Sequence, residues 1–302
     1  MHKDVYHSVT ERIIADLEQG VRPWQRPWRN PAGHGFISLP LRATGEPYRG
    51  INTLLLWLQA LEKGFVSPHW LTYKQAQALG ARVRKGERAS QVVYAGTLNR
   101  TEADDTTGTE VERGIPFLKA YAVFNADQID GLPDRFVPGP REPVPDHARN
   151  AQAEAFIAAT SADIRHGGAR AYYSPSGDHI QLPPFASFIT AEGYYATLCH
   201  ELAHWTGHSS RLDRDLSRTR WGDAAYAAEE LVAELGAAFI CAQLQLTPET
   251  REDHAAYIAS WLKVLKADKR AIFTAVAQAQ RAADFLLAFI RPSEPPADGQ
   301  AS

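Results

Sequence analysis

Apolar residues recur every four positions at Val5, Val9, Ile13 and Leu17, the repeat of an amphipathic helix that Gly20 is placed to end. From Pro23 to Tyr48 no period holds, and frequent Pro and Gly predict loop and short strand. A helix is expected from Thr53 to Lys63, capped by Asn52 and closed by Gly64, and another from near Thr72 to Gly80. The period then changes to two. Gln91 to Ala95 and Phe117 to Phe124 read as strands, and the polar, acidic stretch from Asn99 to Gly114 reads as a mobile hairpin loop. Leu132 to Asp146 holds five prolines and few apolar residues, the pattern of a semi-rigid linker. Beyond it, 148–160 and 191–208 read as helices, with a short hairpin between them at Tyr172, Tyr173 and Ile180 to Leu182. From Tyr226 to Ile290 the chain is Ala-rich and helical, broken near Thr247-Pro248, and Pro292 to Ser302 is expected to be disordered.

These patterns predict an α+β protein with a mixed α/β domain over 1–132, a linker over 133–147, a mainly helical domain over 148–291 and a tail over 292–302. Composition adds a soluble, globular character: 44% of residues are hydrophobic and 22% charged, and no run of eighteen apolar residues suggests a membrane span. The N-terminus lacks the apolar run of a signal peptide, and two cysteines, Cys199 and Cys241, do not make a disulfide framework. A cytoplasmic location is therefore expected. The net charge of −3 conceals an asymmetry, because residues 1–100 carry 14 Lys and Arg against 7 Asp and Glu, a net +7 that leaves −10 for the remainder. A basic first third suggests a nucleic-acid partner.

The strongest chemical signal is His200-Glu201-Leu202-Ala203-His204. Four residues apart on a helix, the two His share a face and can hold one ion, while Glu201 is placed to take a proton from a metal-bound water. A third ligand is needed. Six residues after His204, where an extended motif would place a third His, stands Ser210, and His208 could ligate only through a bend. The better source is Glu229-Glu230-Leu231-Val232-Ala233-Glu234. Glu230 is favoured as ligand with Glu234 four residues on as its supporting acid, and Glu229 is the alternative. Zinc is the expected ion, with manganese or another divalent cation as the alternative. Cys199 points about 100° away from His200 and reads as a buried small residue. Tyr194 and Tyr195 could lend a hydroxyl to an oxyanion or simply pack.

Residues 22–88 combine basic and aromatic side chains, as single-stranded nucleic acid requires: Arg22, Trp24, Arg26 and Trp28, then Tyr48-Arg49, Lys74, and Arg82, Arg84 and Lys85. Trp57 and Trp70 read instead as core.

Several segments together resemble the ArdC antirestriction family. They are Pro23-Trp24 with Pro27-Trp28, Tyr48-Arg49-Gly50-Ile51-Asn52, Leu71-Thr72-Tyr73-Lys74-Gln75-Ala76, Val83-Arg84-Lys85-Gly86-Glu87 and Val123-Phe124-Asn125. In the second half, His200 to His208 and Tyr226 to Glu234 carry it. The resemblance implies a single-stranded-DNA-binding domain joined to a zincin-like metallopeptidase domain. It also implies carriage by conjugative plasmids and related elements, and protection of incoming DNA from host restriction endonucleases. One of these is then the expected protein substrate. The competing expectation is a non-catalytic protein that shields single-stranded DNA and whose metal is structural. A nuclease is less expected, because phosphodiester chemistry usually recruits more carboxylates or two metals.

Overall fold

The computed structural model describes residues 5–19, 38–103, 110–136, 149–214, 224–246 and 254–290. Contacts divide the chain into two compact units, and the architecture is α+β. The described part of the first unit lies before residue 137, and that of the second, apart from Ser38, begins at 149.

In the first unit, α1 (Val5–Glu18) buries Val9, Ile13 and Leu17, the stripe its four-residue repeat predicts. Arg12 ties it to the next helix, donating to Gln59 at 3.2 Å and Glu62 at 2.6 Å. That helix, α2 (Ile51–Lys63), starts two residues earlier than the sequence suggests. Gly50 occupies its cap position, and Asn52 lies inside the helix instead of capping it. The Asn52 amide is committed elsewhere: its Nδ2 donates to the Val93 carbonyl at 2.8 Å and its Oδ1 accepts from the Val93 N–H at 2.7 Å. This side chain thereby satisfies backbone groups of an edge strand.

Four strands form the main sheet: β1 (Leu41–Arg42), β2 (His69–Leu71), β4 (Ser90–Ala103) and β5 (Glu110–Asn125), in the order β1-β2-β5-β4. Only β1 and β2 run parallel. A short ladder pairs β3 (Arg82–Val83) with β6 (Ile129–Asp130), and α3 (Tyr73–Ala78) precedes β3 with Thr72 and Gln75 forming a reciprocal cap. The β4–β5 ladder runs from Ser90↔Val123 to Ala103↔Glu110. Residues 99–103 and 110–114, expected as loop, are therefore strand. Backbone pairing does not require alternating apolar side chains, and none are present there to announce it.

Leu56, Ala60, Trp70, Val92 and Val123 make one core cluster of this unit, and Trp57 is also buried. A second cluster comprises Leu71, Ala76, Ala81, Ala126, Ile129 and Phe136. Phe136 is fixed further by an edge-to-face contact with His69 and a 3.0 Å bond from the Ser67 hydroxyl to its carbonyl. The first unit therefore extends past residue 132. Asn125 explains the Val123-Phe124-Asn125 motif. Fully buried, it donates to the Ser67 carbonyl at 2.9 Å and accepts from the Asp127 N–H at 2.9 Å.

The second unit opens with α4 (Ala151–Thr160), capped by Asn150. A three-stranded sheet follows, β7 (Asp163–His166), β8 (Tyr172–Ser174) and β9 (His179–Leu182) in the order β7-β9-β8, to which the predicted hairpin contributes two strands. Four helices complete it: α5 (Ala191–Trp205), α6 (Ala224–Leu244), α7 (His254–Ala267) and α8 (Ala271–Leu287). A break between α7 and α8 at Asp268–Arg270 interrupts the expected continuous helix, and the Asp268 carboxylate accepts from the Arg270 N–H at 2.8 Å to make the turn. Helix α6 packs against α5, α7 and α8. A Cβ on Gly236 of α6 would stand 3.2 Å from the Ala203 Cβ of α5 and 3.7 Å from the Ala279 carbonyl oxygen of α8, so glycine sets this close approach. Among the described residues no helix is long and apolar enough to cross a membrane.

Candidate metal centre

Helix α5 begins at the Thr190 cap, whose hydroxyl accepts from the Gly193 N–H at 3.0 Å, and runs through the His200–His204 pair. Helix α6 lies against it and presents Glu229, Glu230 and Glu234. His200, Glu201, Glu230 and Glu234 are buried, so each polar atom must find a partner or a ligand.

The Nε2 atoms of His200 and His204 face one another at 3.1 Å. Glu230 reaches both, with one oxygen 3.5 Å from His200 Nε2 and the other 3.5 Å from His204 Nε2. Ligand atoms about 2.0–2.1 Å from one tetrahedral ion stand about 3.3 Å apart, so this spacing fits a single ion. Within the described residues this trio is the one cluster of metal-ligand type, its donor atoms all within 4.8 Å of one another.

The remaining carboxylates take the other imidazole nitrogens. Glu234 Oε1 is 3.3 Å from His200 Nδ1, and Glu229 Oε1 is 3.2 Å from His204 Nδ1. The His204 Nδ1–Glu229 hydrogen bond would leave the His204 Nε2 lone pair free for a bound ion, whereas Glu234 lies near His200 Nδ1 without a regular hydrogen bond. Glu230, favoured as third ligand, and Glu229, its alternative, thus occupy different places about His204.

Charge follows the same plan. Burial opposes charging His204, but its bonds to Glu229 and Glu230 outweigh this and raise its pKa to about 10. Burial would also raise the Glu230 carboxyl, yet the two facing imidazoles hold it well below the usual carboxylate range. The buried carboxylates thus favour positive charge on the groups they face.

Beyond Trp205 the chain folds back through a turn that explains the rest of the His200–His208 segment. The Arg211 guanidinium stacks on the Trp205 ring at 3.9 Å and pairs with Asp178, while Arg214 bonds the Thr206 hydroxyl at 2.7 Å. His208 is turned to Ser210, its Nδ1 2.8 Å from the hydroxyl. The Tyr195 hydroxyl is spent on Glu154 at 2.7 Å and the Asn150 N–H at 3.0 Å, whereas that of Tyr194 lies 3.0 Å from His166 Nε2. Cys199 and Cys241 are both buried and adjacent, and their contact and burial push the Cys199 thiol pKa up.

Of the nucleic-acid candidates, Arg22, Trp24, Arg26 and Trp28 lie outside the described residues. Arg49, Lys74, Arg82 and Lys85 are exposed. Tyr48 is half-buried, packing on the core beneath Arg42, whose guanidinium is 5.4 Å from its ring. Arg84 is engaged structurally with Glu87, Asp130 and the Asp127 carbonyl. Tyr94 and Tyr121, outside the sequence candidates, are exposed on the paired strands β4 and β5 and meet edge to face with centroids 6.3 Å apart.

Fold and site together define a protein with a zincin-type centre on two packed helices of one unit and a separate mixed α/β unit in the same chain. Residues 151–278 match the zincin-like metallopeptidase family, and residues 3–124 match the N-terminal domain of anti-restriction factor ArdC. The crystal structure of antirestriction ArdC protein from the R388 plasmid in metal-free form is 51% identical, with a TM-score of 0.81 over 95% of this chain and 97% of that one. Its Mn(II)-bound structure is matched at 48% identity and a TM-score of 0.79, over 96% and 100%. An uncharacterized protein of Sinorhizobium fredii, y4eC, is 47% identical over 94% of this chain and 91% of its own length. A DNA primase TraC of Escherichia coli is 41% identical over 95% of this chain, which spans 27% of that longer protein. The chain belongs to the ArdC antirestriction family.

Proposed function

We propose that this chain protects incoming DNA from host restriction by joining a single-stranded-DNA-binding unit to a metal-dependent peptidase that acts on protein, with a restriction endonuclease as target. The observation that carries the reading is the convergence of His200, His204 and Glu230 on one point, with Glu201 beside it on the same helix.

His200, His204 and Glu230 are the proposed ligands. Two imidazoles and one carboxylate suit zinc, the proposed native ion, and Mn(II), the ion bound in the R388 protein, is the alternative. The bound ion would supply an acidified water and polarise the substrate carbonyl. Glu201 takes the proton of the attacking water at its carboxylate and returns it to the leaving amine. Glu234 and Glu229 hold the ligand rings in register.

In the first unit, exposed Lys74, Arg82 and Lys85 would track phosphates, and exposed Tyr73, Tyr94 and Tyr121 offer faces on which bases stack. The site of action is the cytoplasm, where transferred single strands meet the host enzyme.

The test incubates the purified protein with a host restriction endonuclease and single-stranded DNA, and follows the endonuclease by mass spectrometry. Peptide fragments should form with zinc or manganese and be lost with a chelator or with Glu201→Gln. An intact endonuclease in the presence of metal, with DNA still protected, would favour shielding of DNA around a structural metal.

A further inference from the structure

We infer that Arg214 is a positioning residue for the metal centre, acting through Glu229 on the orientation of His204; the inference rests on the metal-site reading above. The side chain of Arg214 is only 7% exposed and spends all three of its nitrogens. Its Nε donates to Glu229 Oε2 at 3.0 Å and one terminal nitrogen donates to Glu229 Oε1 at 2.8 Å, a two-pronged clamp on one carboxylate. That same nitrogen donates to the Ala203 carbonyl at 2.6 Å, and the other bonds the Thr206 hydroxyl at 2.7 Å. Ala203 lies on the last turn of the helix that carries the two His, and Thr206 is its C-cap.

The clamp matters because of what Glu229 does next. Its Oε1, held by Arg214, is also the oxygen 3.2 Å from His204 Nδ1. A carboxylate fixed at both oxygens cannot rotate, so it fixes the imidazole plane and keeps the proton on Nδ1. The Nε2 lone pair is thereby aimed at His200 Nε2 and Glu230. A buried Glu229 without a counter-charge would add to the negative charge carried by Glu230. The guanidinium offsets that charge where it is not wanted, behind the ring, and leaves Glu230 to meet the ion. Only a planar fork can bond one carboxylate twice while reaching a carbonyl and a hydroxyl, which makes lysine a poor substitute.

The turn after α5 delivers Arg214 to this position. Leu212 N–H donates to the Thr206 carbonyl at 3.0 Å, Arg214 N–H donates to the Gly207 carbonyl at 2.9 Å, and Asp213 takes a left-handed conformation with φ 49°. The sequence gives no warning of this role, because Arg214 stands ten residues after His204 and outside the HExxH motif.

The test compares parent, Arg214→Gln, Arg214→Lys, Glu229→Gln and the Arg214→Gln/Glu229→Gln pair in the full chain, loaded with zinc or Mn(II). Metal affinity is read by competition with a chromophoric chelator, and the melting temperature is read with and without metal. Arg214→Gln and Arg214→Lys should each weaken metal binding about 10- to 100-fold and shrink the rise in melting temperature on loading. The double variant should be no weaker than Glu229→Gln alone, because both act on one ring. Unchanged affinity in Arg214→Gln, with equal loss of melting temperature in metal-free and loaded protein, would make the residue purely structural and overturn the inference. Independent, multiplying losses in the double variant would also overturn it. If the parent itself binds no divalent ion, the metal-site reading falls and this inference with it. If the parent binds and His204→Ala does not, a null result at Arg214 falls on this inference alone.

Discussion

Glu229 and Glu230 are neighbours in sequence and take different nitrogens of His204, Nδ1 and Nε2. Replacing Glu230 with Ala should abolish stoichiometric metal binding, whereas Glu229→Ala should retain it with an affinity about 10- to 100-fold weaker. Calorimetric titration with zinc checks both. That the two His share a helix face was legible from spacing alone, because four residues is just over one helical turn. Glu230 was favoured from its four-residue relation to Glu234, but the separate place of Glu229 at His204 Nδ1 was not legible, since it depends on how α6 is rotated against α5. Protonation gives a second prediction at this scale. In metal-free protein the His204 pKa is raised from 6.5 to about 10, so its bonds to Glu229 and Glu230 stabilise the fold fully below pH 6.5 and are lost as pH rises through 10. Glu230 and Glu229 are depressed below 4.5, so their contribution is present above that value and lost on acidification. Denaturant titrations of chelator-treated protein should therefore show stability falling from pH 7 to 10, and a shallower fall in His204→Ala. An equal slope in both proteins would remove His204 as the cause.

The contact of α5 with α6 depends on the absence of a side chain at Gly236. A single methyl there meets Ala203 at 3.2 Å, while alanine is about 1 kcal/mol better than glycine in a helix interior, so Gly236→Ala should be close to neutral. Gly236→Val adds bulk that the Ala203 Cβ and the Ala279 backbone cannot yield to, and should cost about 1–3 kcal/mol by urea denaturation, with weakened metal binding. Helices were the most legible elements, their ends shifting by a few residues. Strands were less so. The β4–β5 ladder continues through a polar stretch with no alternation to read, and β7 pairs in parallel with β9 across sixteen residues, a partnership no local pattern announces. Asn52 was misplaced for a related reason: a cap and a clamp on a distant strand use the same short amide.

At the scale of the molecule, a first unit whose basic surplus lies in residues 1–100 is joined in one chain to a unit with a metal-ligand cluster, so the proposed function would bring a peptidase to single-stranded DNA. Binding to a fluorescent single strand should weaken steeply with salt, and removing Lys74 and Lys85 together should lower the salt slope by about two phosphate contacts. An unchanged slope would remove these lysines from the interface. The central claim, that protection requires peptide hydrolysis at this centre, is tested by Glu201→Gln in a conjugation assay against a restricting host. Glu201→Gln should retain metal and single-stranded-DNA affinity and lose protection of the transferred DNA. Protection equal to the parent's, from a variant that still binds both, would contradict the account.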